Sequence, residues 1–464
     1  MADDVDVIVI GAGPPGENAA GRAADHGMSV AIVEERLVGG ECSFWGCVPT
    51  KTLLRPGDVV AAAKRVPGAA EAITGEIDVA AALGQRDYMT NGWSDETQTP
   101  WLGSKGIELV RGRGRLAGEK RVEVATDDGT RTLTARFAVV LACGTTPTMP
   151  PIDGLADARP WTNREATEVK EIPRRFLVLG GGPIGAELAQ GFRRLGSEEV
   201  TVIEGGPRLL ARDEPFAGDE VRASFEAEGI RVITGARAEK VGRDGGGDGP
   251  VMVTLRDGRQ VTGDELLVAV GRTPNTTDVG LDTVGLEPRG YLKVDGKLRA
   301  IGVDGGWLYG TGDVTGLALL THMGKYQGRL VGDVIAGKDV VDIADHRAVP
   351  RVTFTDPQVA AVGPTEAEAR ERGVDVRVVQ TPTGGVAGAY VRGNGIEGTS
   401  HLVIDESRKV VIGATFTGPD VQELVHAATI AIVGEVPLET LWHAVPSFPT
   451  VSEVWLRLLE AYGL

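Results

Sequence analysis

The chain has 464 residues, 42% of them apolar and 24% charged, which fills cores, excludes a disordered or fibrous protein, and predicts about three domains at roughly 100–200 residues each. Its 48 basic and 65 acidic side chains leave a net charge of −17, which repels phosphate backbones and anionic lipid and so argues against nucleic acid or a membrane as partner. No run approaches the roughly 18–20 apolar residues that cross a bilayer, and Met1-Ala2-Asp3-Asp4 has none of the basic character of a secretory signal, so the expected location is the cytoplasm.

The apolar run 5–10 passes through Gly11-Ala12-Gly13-Pro14-Pro15-Gly16 into an alanine-rich helical stretch and returns as a strand over 29–33, closed by Glu34. Strand, glycine turn, helix and an acid 23 residues after the first glycine form the context in which GxGxxG binds a dinucleotide. Gly11, Gly13 and Gly16 let backbone N–H groups approach a pyrophosphate at the positive end of the helix, and Glu34 accepts hydrogen bonds from a ribose diol.

Next comes Gly39-Gly40-Glu41-Cys42-Ser43-Phe44-Trp45-Gly46-Cys47-Val48-Pro49-Thr50-Lys51. In a reducing compartment, two of only three cysteines lying this close call for chemistry or chance, not a structural bridge. A regular helix would separate Cys42 and Cys47 by about 7.5 Å of rise, too far for a disulfide, so a bridge needs a distorted turn, which Gly46 and Pro49 permit. A ribbon follows, 121–125 and 132–135 about the turn Asp127-Asp128-Gly129, then a strand over 137–142 with Cys143 as a buried structural thiol at its end, then Gly144-Thr145-Thr146-Pro147.

The same architecture then repeats. A strand over 176–179 leads through Gly180-Gly181-Gly182-Pro183-Ile184-Gly185 into a helix ending near Arg194 and a strand over 200–203, closed by Glu204 24 residues after Gly180. A second ribbon, 251–255 and 260–261 about Asp257-Gly258, leads to a strand over 266–270 and then Gly271-Arg272-Thr273-Pro274. Two copies imply two dinucleotides. A further strand over 306–309 precedes Gly310-Thr311-Gly312-Asp313 and a helix over 322–335. From about Arg347 the texture turns strand-rich (352–354, 401–404, 410–416), with one helix opened by a Thr365/Glu368 capping box and stopped at Gly373. The domains expected are 1–153 and 276–346 as two parts of the first dinucleotide domain, 154–275 as the second, and 347–464 as an α+β domain. His322, His346 and His401 have no Cys/His clustering, so no metal site is expected.

Gly39, Gly40, Cys42, Gly46, Cys47, Pro49 and Lys51 match GGxCxxxGCxPxK. With Ala142 to Pro147, Val270 to Asn275, Gly312-Asp313, Phe354-Thr355-Asp356-Pro357 and Pro449 to Glu453, the whole chain resembles the flavoprotein disulfide reductases. These are the class I pyridine nucleotide-disulfide oxidoreductases, which include lipoamide dehydrogenase, glutathione reductase and mercuric reductase. The resemblance implies an α/β fold of two Rossmann-like FAD/NAD(P)-binding domains plus a C-terminal α+β dimerisation domain, acting as a homodimer. It places FAD on the first unit, with Glu34 on its adenosine ribose, a Gly114 backbone contact to adenine, Asp313 at its ribityl or pyrophosphate end, and Gly40, Gly144, Gly312 and Thr321 around it. NAD(P)H falls on Gly180, Gly182 and Gly185, with Gly271 closing over it. Lys51 and Glu187 match an ion pair beside the flavin, where a cation stabilises negative charge. Cys42 and Cys47 become a redox-active disulfide, Cys47 the charge-transfer thiol and Cys42 the exchanging one.

Two positions, Phe448 and Glu41, depart from the family. Phe448 stands where disulfide-reducing members carry an acid/base His supplied by the partner subunit, and Phe neither shuttles protons nor stabilises a thiolate. His443, five residues upstream, substitutes only if the loop is rearranged, and Glu453 loses its usual His partner. Glu41 replaces a small hydroxyl residue and is expected to raise the Cys42 thiol pKa, while Phe44, Trp45 and Phe448 are expected to make the pocket bulky and apolar. The resulting reading is an FAD-dependent oxidoreductase passing electrons from NADH to the cysteine pair and on to a small-molecule disulfide or quinone, with lipoamide and glutathione disfavoured. NADH is preferred over NADPH because Glu204 repels a 2′-phosphate, an effect that nearby Arg208 and Arg212 can blunt. A quinone reductase with direct flavin-to-acceptor transfer and a slow redox-sensing flavoprotein remain as alternatives.

Overall fold

Val7, Ile8, Val9 and Ile10 are all buried because their strand, Asp3–Ile10, has parallel partners on both edges, the arrangement that turns a strand into a continuous apolar run. The computed structural model describes residues 3–247 and 249–464; Met1 and Ala2, from the N-terminal stretch considered above, and Asp248 lie outside the described residues. The chain forms two units, Met1–Pro49 with Asp87–Pro147 and Arg272–His346, and Thr50–Arg86 with Thr148–Gly271 and Arg347–Leu464.

In the first unit the strands run in the order Ile107–Arg111, Val30–Glu34, Asp3–Ile10, Gly129–Leu141, Arg121–Thr126, Arg113–Leu116, and Leu308–Gly310 pairs parallel to Gly129–Leu141. Where the sequence suggests a ribbon arm and then a separate strand, Gly129–Leu141 is one continuous strand. Its first half pairs antiparallel with Arg121–Thr126, and its last residues become uniformly buried between Asp3–Ile10 and Leu308–Gly310. Side chains alternate between two cores, Ile8, Ile10, Val33 and Leu141 on one face and Val7, Val9, Ile32 and Val140 on the other. The helices Pro14–Asp25 and Thr321–Ile335 pack almost backbone to backbone. A Cβ on Gly328 would stand 2.3 Å from the Pro15 carbonyl oxygen.

The second unit holds a parallel sheet in the order Ile230–Ile233, Glu199–Ile203, Arg175–Leu179, Glu265–Val268, an antiparallel ribbon of three strands, and a five-stranded antiparallel sheet formed entirely by residues after 350. Thr365 does cap the helix Glu366–Glu371 through a full capping box. Arg194, at the end of the helix Pro183–Arg194, binds Asp58, Glu228 and Asp356 at 3.2, 2.7 and 2.8 Å, pairing largely buried charges that would be costly alone. Among the described residues no helix is long and apolar enough to cross a membrane.

Candidate active site

The two glycine turns fold alike. Gly11 and Gly180 have φ of 102° and 110°, and a Cβ on either would stand 2.4 Å from a carbonyl oxygen, of Ala142 or of Ala269. Gly16 and Gly185 let helix meet turn, since their Cβ atoms would come within 1.9 and 2.0 Å of the Gly11 and Gly180 carbonyls. Gly13 and Gly182 are different. Each is the N-cap of its helix at ordinary φ, without a side-chain cap, and a Cβ there meets almost nothing. Packing therefore does not demand glycine at these two positions, whereas an anion lying on the helix amides does. The acids close the turns identically. Glu34 Oε2 accepts from Ala12 N at 2.7 Å and Glu204 Oε2 from Gly181 N at 2.6 Å, and the other oxygens accept from Arg36 N and Gly206 N. Burial pushes the Glu34 carboxyl above its ordinary range against these amides. Both cradles fit a dinucleotide pyrophosphate.

The cysteine loop leans on the first cradle. Gly39 N donates to Ala12 O at 2.8 Å, and Gly40, at φ 58°, lies so close that a Cβ would be 2.9 Å from Gly13 Cα. Cys42 sits in the short helix Gly40–Phe44 and Cys47 opens the helix Cys47–Lys64, with Trp45 at φ −134° interrupting the two. Gly46 makes the interruption possible, because a Cβ there would press to 3.0 Å on the Glu41 carbonyl and 3.5 Å on Cys42 Cα. Both cysteines are thiols in this structure, within hydrogen-bond reach of one another, and Cys47 Sγ is 3.4 Å from Thr321 Oγ1. The Cys42 thiol is held well above its usual range, first by its hydrogen bond with Cys47, then by burial and by the Cys47 charge; Thr321 and Lys325 oppose them.

Two expectations are corrected here. The cause of the raised Cys42 is Cys47 and burial, while the Glu41 carboxylate faces Arg272 Nη2 at 3.5 Å. Phe44 and Trp45 do not line an open apolar pocket: they are 1% and 9% exposed, with ring centroids 5.7 Å apart and Trp93 Nε1 donating to the Phe44 carbonyl.

Asp313 accepts from Thr145 Oγ1 at 2.8 Å, Thr145 accepts from Arg272 Nε at 2.7 Å, and burial raises the Asp313 carboxyl. The segments Thr145–Pro147 and Arg272–Pro274, equivalent in the two sequence copies, pair with one another as an antiparallel ribbon. Gly312, at φ 76°, would drive a Cβ to 2.5 Å from Pro15, and Gly144 and Gly271 also occupy positive φ. Gly114 lies in the strand Arg113–Leu116, and a Cβ there would stand 3.0 Å from Val33 Cγ1. Cys143 Sγ is 3.3 Å from the Asn275 carbonyl, and burial pushes its pKa up to about 12, so it is an inert thiol. Thr145 and Arg272 lie inside the matched segments Ala142 to Pro147 and Val270 to Asn275 without a role being assigned to either side chain there, whereas Glu17, an acid in the first turn of an anion-cradling helix, carries no motif signal.

In the second unit Lys51 Nζ donates to Glu187 Oε2 at 2.6 Å, and Glu187 Oε1 accepts from Phe354 N at 2.9 Å, with Lys51 also over the Phe354 ring at 4.9 Å. Phe448 is 77% exposed and His443 is exposed too. Glu453, 8% exposed, accepts from Gly388 N and Thr450 N at 3.2 Å each, so backbone amides hold it. His401 is buried against Phe216 and desolvation takes its pKa down to about 4, a core histidine. Among the described residues no group of His, Cys, Asp and Glu is arranged to hold a metal.

The family model of the pyridine nucleotide-disulphide oxidoreductases matches residues 5–328, and that of their dimerisation domain matches residues 349–458. A mercuric reductase of Staphylococcus aureus is 31% identical over 97% of this chain and 81% of its own length. A dihydrolipoyl dehydrogenase of Chlorobaculum tepidum is 34% identical over 98% of this chain and 96% of its own. Among solved structures, the Cu(II) complex of the HOCl-induced flavoprotein disulfide reductase RclA from Escherichia coli matches with a TM-score of 0.86 at 25% identity over 99% of both chains. LpdA from Mycobacterium tuberculosis matches with a TM-score of 0.86 at 28% identity, over 99% of this chain and 100% of that one.

Proposed function

Since the chain belongs to the pyridine nucleotide-disulphide oxidoreductases and so uses FAD and NAD(P)H, we propose that it is a homodimeric, NADH-dependent reductase. Its Cys42–Cys47 pair delivers electrons to a small-molecule disulfide or quinone. The observation that carries this reading is the break at Trp45-Gly46, which brings two thiols five residues apart in sequence within reach of each other on the rim of the first cradle. FAD, when bound, supplies two-electron chemistry between nicotinamide and sulfur. Residues 1–153 and 276–346 hold it: the Gly11–Gly16 turn and its helix amides take the pyrophosphate, Glu34 and the Gly114 backbone the adenosine end, and Asp313, Gly312, Gly40, Gly144 and Thr321 the ribityl side. Residues 154–275 hold the nicotinamide nucleotide through Gly180, Gly182, Gly185, Glu204 and Gly271, residues 347–464 form the subunit interface, and the Lys51–Glu187 pair supplies a fixed cation. Reduction of the pair by two electrons and one proton breaks the S–S bond and leaves one thiol and one thiolate. The hydrogen bond between the sulfurs puts the proton on Cys42 and the charge on Cys47, so Cys42 must lose its proton before it attacks an acceptor disulfide.

That requirement favours one second reading, reduction of apolar quinones, which need no thiolate attack, because the exposed Phe448 offers no base. Steady-state oxidation of NADH with a panel of disulfides and quinones tests both. Turnover of at least one class supports an enzyme, quinones ahead of lipoamide and glutathione disulfide supports the missing base, and no turnover with any acceptor overturns the proposal in favour of a sensor.

The nucleotide preference is a second expected result. Glu204 presents a carboxylate fixed by two backbone amides, while Arg208 Nη2 is turned to the Ala211 and Asp213 carbonyls and not toward a 2′-phosphate. The ratio of kcat/KM for NADH over NADPH is expected to be at least about tenfold, equivalent to about 1.4 kcal/mol. Equal values reject the role assigned to Glu204.

A further inference from the structure

Three residues in a row, Asn91, Gly92 and Trp93, hold φ of 49°, 60° and 58°. Left-handed backbone is ordinary for Gly92 but unfavourable for Asn91 and above all for the bulky Trp93, and it persists only where the surrounding structure over-determines it. The turn closes on itself. Trp93 N donates to Thr90 O at 2.9 Å, Ser94 N to Asn91 O at 3.1 Å, and Asn91 Nδ2 to Ser94 O at 3.1 Å. What this strained turn delivers is the Trp93 indole, whose Nε1 donates to the Phe44 carbonyl at 3.1 Å. That carbonyl lies in the last turn of the short helix Gly40–Phe44, which carries Cys42, where carbonyls lack the partners that a longer helix supplies. The residues after the turn hold the other end of the same loop. Asp95, 8% exposed, accepts through Oδ2 from Val38 N at 2.7 Å and from Arg111 Nη2 at 2.5 Å, and Arg111 Nη1 donates to the Arg36 carbonyl at 2.6 Å. Gln98 fills the space beside Gly39, where a Cβ would stand 2.0 Å from its Oε1. Cys42 thus lies between two anchored points, Val38 and Phe44.

We propose that Trp93 and Asp95 are positioning residues of the redox loop: by anchoring both ends of the segment 38–44 they hold Cys42 opposite Cys47 and make the pair a stronger reductant. This rests on the reading of Cys42 and Cys47 as a dithiol–disulfide couple. Both anchors grip backbone groups of the loop, the Val38 amide and the Phe44 carbonyl. When the couple is oxidised, the S–S bond itself restrains the loop; when it is reduced, the anchors carry that task. They therefore remove freedom that the open dithiol would otherwise gain, which raises the effective concentration of one thiol at the other and favours the disulfide. Loosening the loop shifts the couple toward the dithiol, raises its potential and weakens it as a donor to an acceptor. The strain at Asn91 and Trp93 is the counterpart of this order, since a relaxed turn would not aim the indole at Phe44.

The test is a titration of FAD-loaded protein in buffers of reduced and oxidised dithiothreitol. In the exchange the protein dithiol gives two electrons and two protons to oxidised dithiothreitol, so that one S–S bond forms in the protein and one breaks in the reagent. Acid quenching, alkylation and peptide mass spectrometry read the fraction of Cys42 and Cys47 in each state. Trp93→Phe keeps a ring but has no N–H, and is expected to lower the constant for disulfide formation by about three- to tenfold, the worth of one hydrogen bond; tenfold is about 30 mV. Asp95→Ala is expected to do the same, whereas Asp95→Asn still offers Val38 N an acceptor and stays within about twofold. A contact that served only the fold would lower the melting temperature of oxidised and reduced protein alike and leave the titration where it stands, so an unmoved midpoint in either Trp93→Phe or Asp95→Ala overturns the proposal. A midpoint displaced toward more reducing ratios overturns it as well, because the anchors would then favour the dithiol. A native pair that no ratio oxidises rejects the couple itself, which the thiol count with NADH described below reads independently.

Discussion

Anaerobic NADH is expected to raise the number of titratable thiols in the denatured protein from one to three per chain, since Cys143 is the only cysteine outside the pair. In Cys47→Ser the count stays at two with or without NADH, and turnover of disulfide acceptors falls to background. The size of the effect follows from the chemistry: with one sulfur removed there is no S–S bond to accept two electrons, and Cys42, already raised by burial, loses the partner that takes the charge. Cys42→Ser should remove disulfide turnover equally while leaving a thiolate at Cys47, visible as long-wavelength absorbance while the flavin is oxidised and lost when NADH reduces the flavin. If the native protein gains no thiols from NADH, the electrons never rest on sulfur, and the pair is a structural feature of the loop.

Phe448→His is expected to increase disulfide turnover, by up to about 10²- to 10⁴-fold, the range a positioned acid/base contributes. The side chain packs into no core of its own chain, so the exchange leaves the fold of each subunit intact, and Glu453 is already fixed by the Gly388 and Thr450 amides. The added activity should rise with pH through the imidazole range near 6.5, and quinone reduction should stay within about twofold because it needs no proton from that position. A native enzyme already fast with lipoamide would show instead that another group acts as base. His443→Ala would then identify it by abolishing that activity. A silent Phe448→His together with slow native turnover would mean that sulfur exchange is not the limiting step.

What the sequence by itself determined is what short segments encode. Gly11, Gly16, Gly180 and Gly185 form the two tight strand-to-helix turns that the sequence suggests, because the positive φ of Gly11 and Gly180 and the close meeting of helix and turn at Gly16 and Gly185 are settled within six residues. The same holds for the Thr365–Glu368 box, and for the distorted turn at Gly46 that a disulfide between Cys42 and Cys47 requires. The acids Glu34 and Glu204 are found because a βαβ unit has a fixed length.

The tertiary structure decided which charges meet. Lys51 and Glu187 are 136 residues apart and Cys47 and Thr321 are 274 apart; a motif names the first pair by resemblance, but nothing local names the second. Glu41 reads as a carboxylate beside a thiol, yet the fold turns it to Arg272, and Phe44 and Trp45 read as pocket aromatics, yet they pack inward. Backbone propensities act over a few residues and are written in the residues themselves. The pKa of a thiol depends on the burial and neighbours that the folded chain gathers around it, and for Cys42 these are Cys47 five residues on and Thr321 hundreds of residues away.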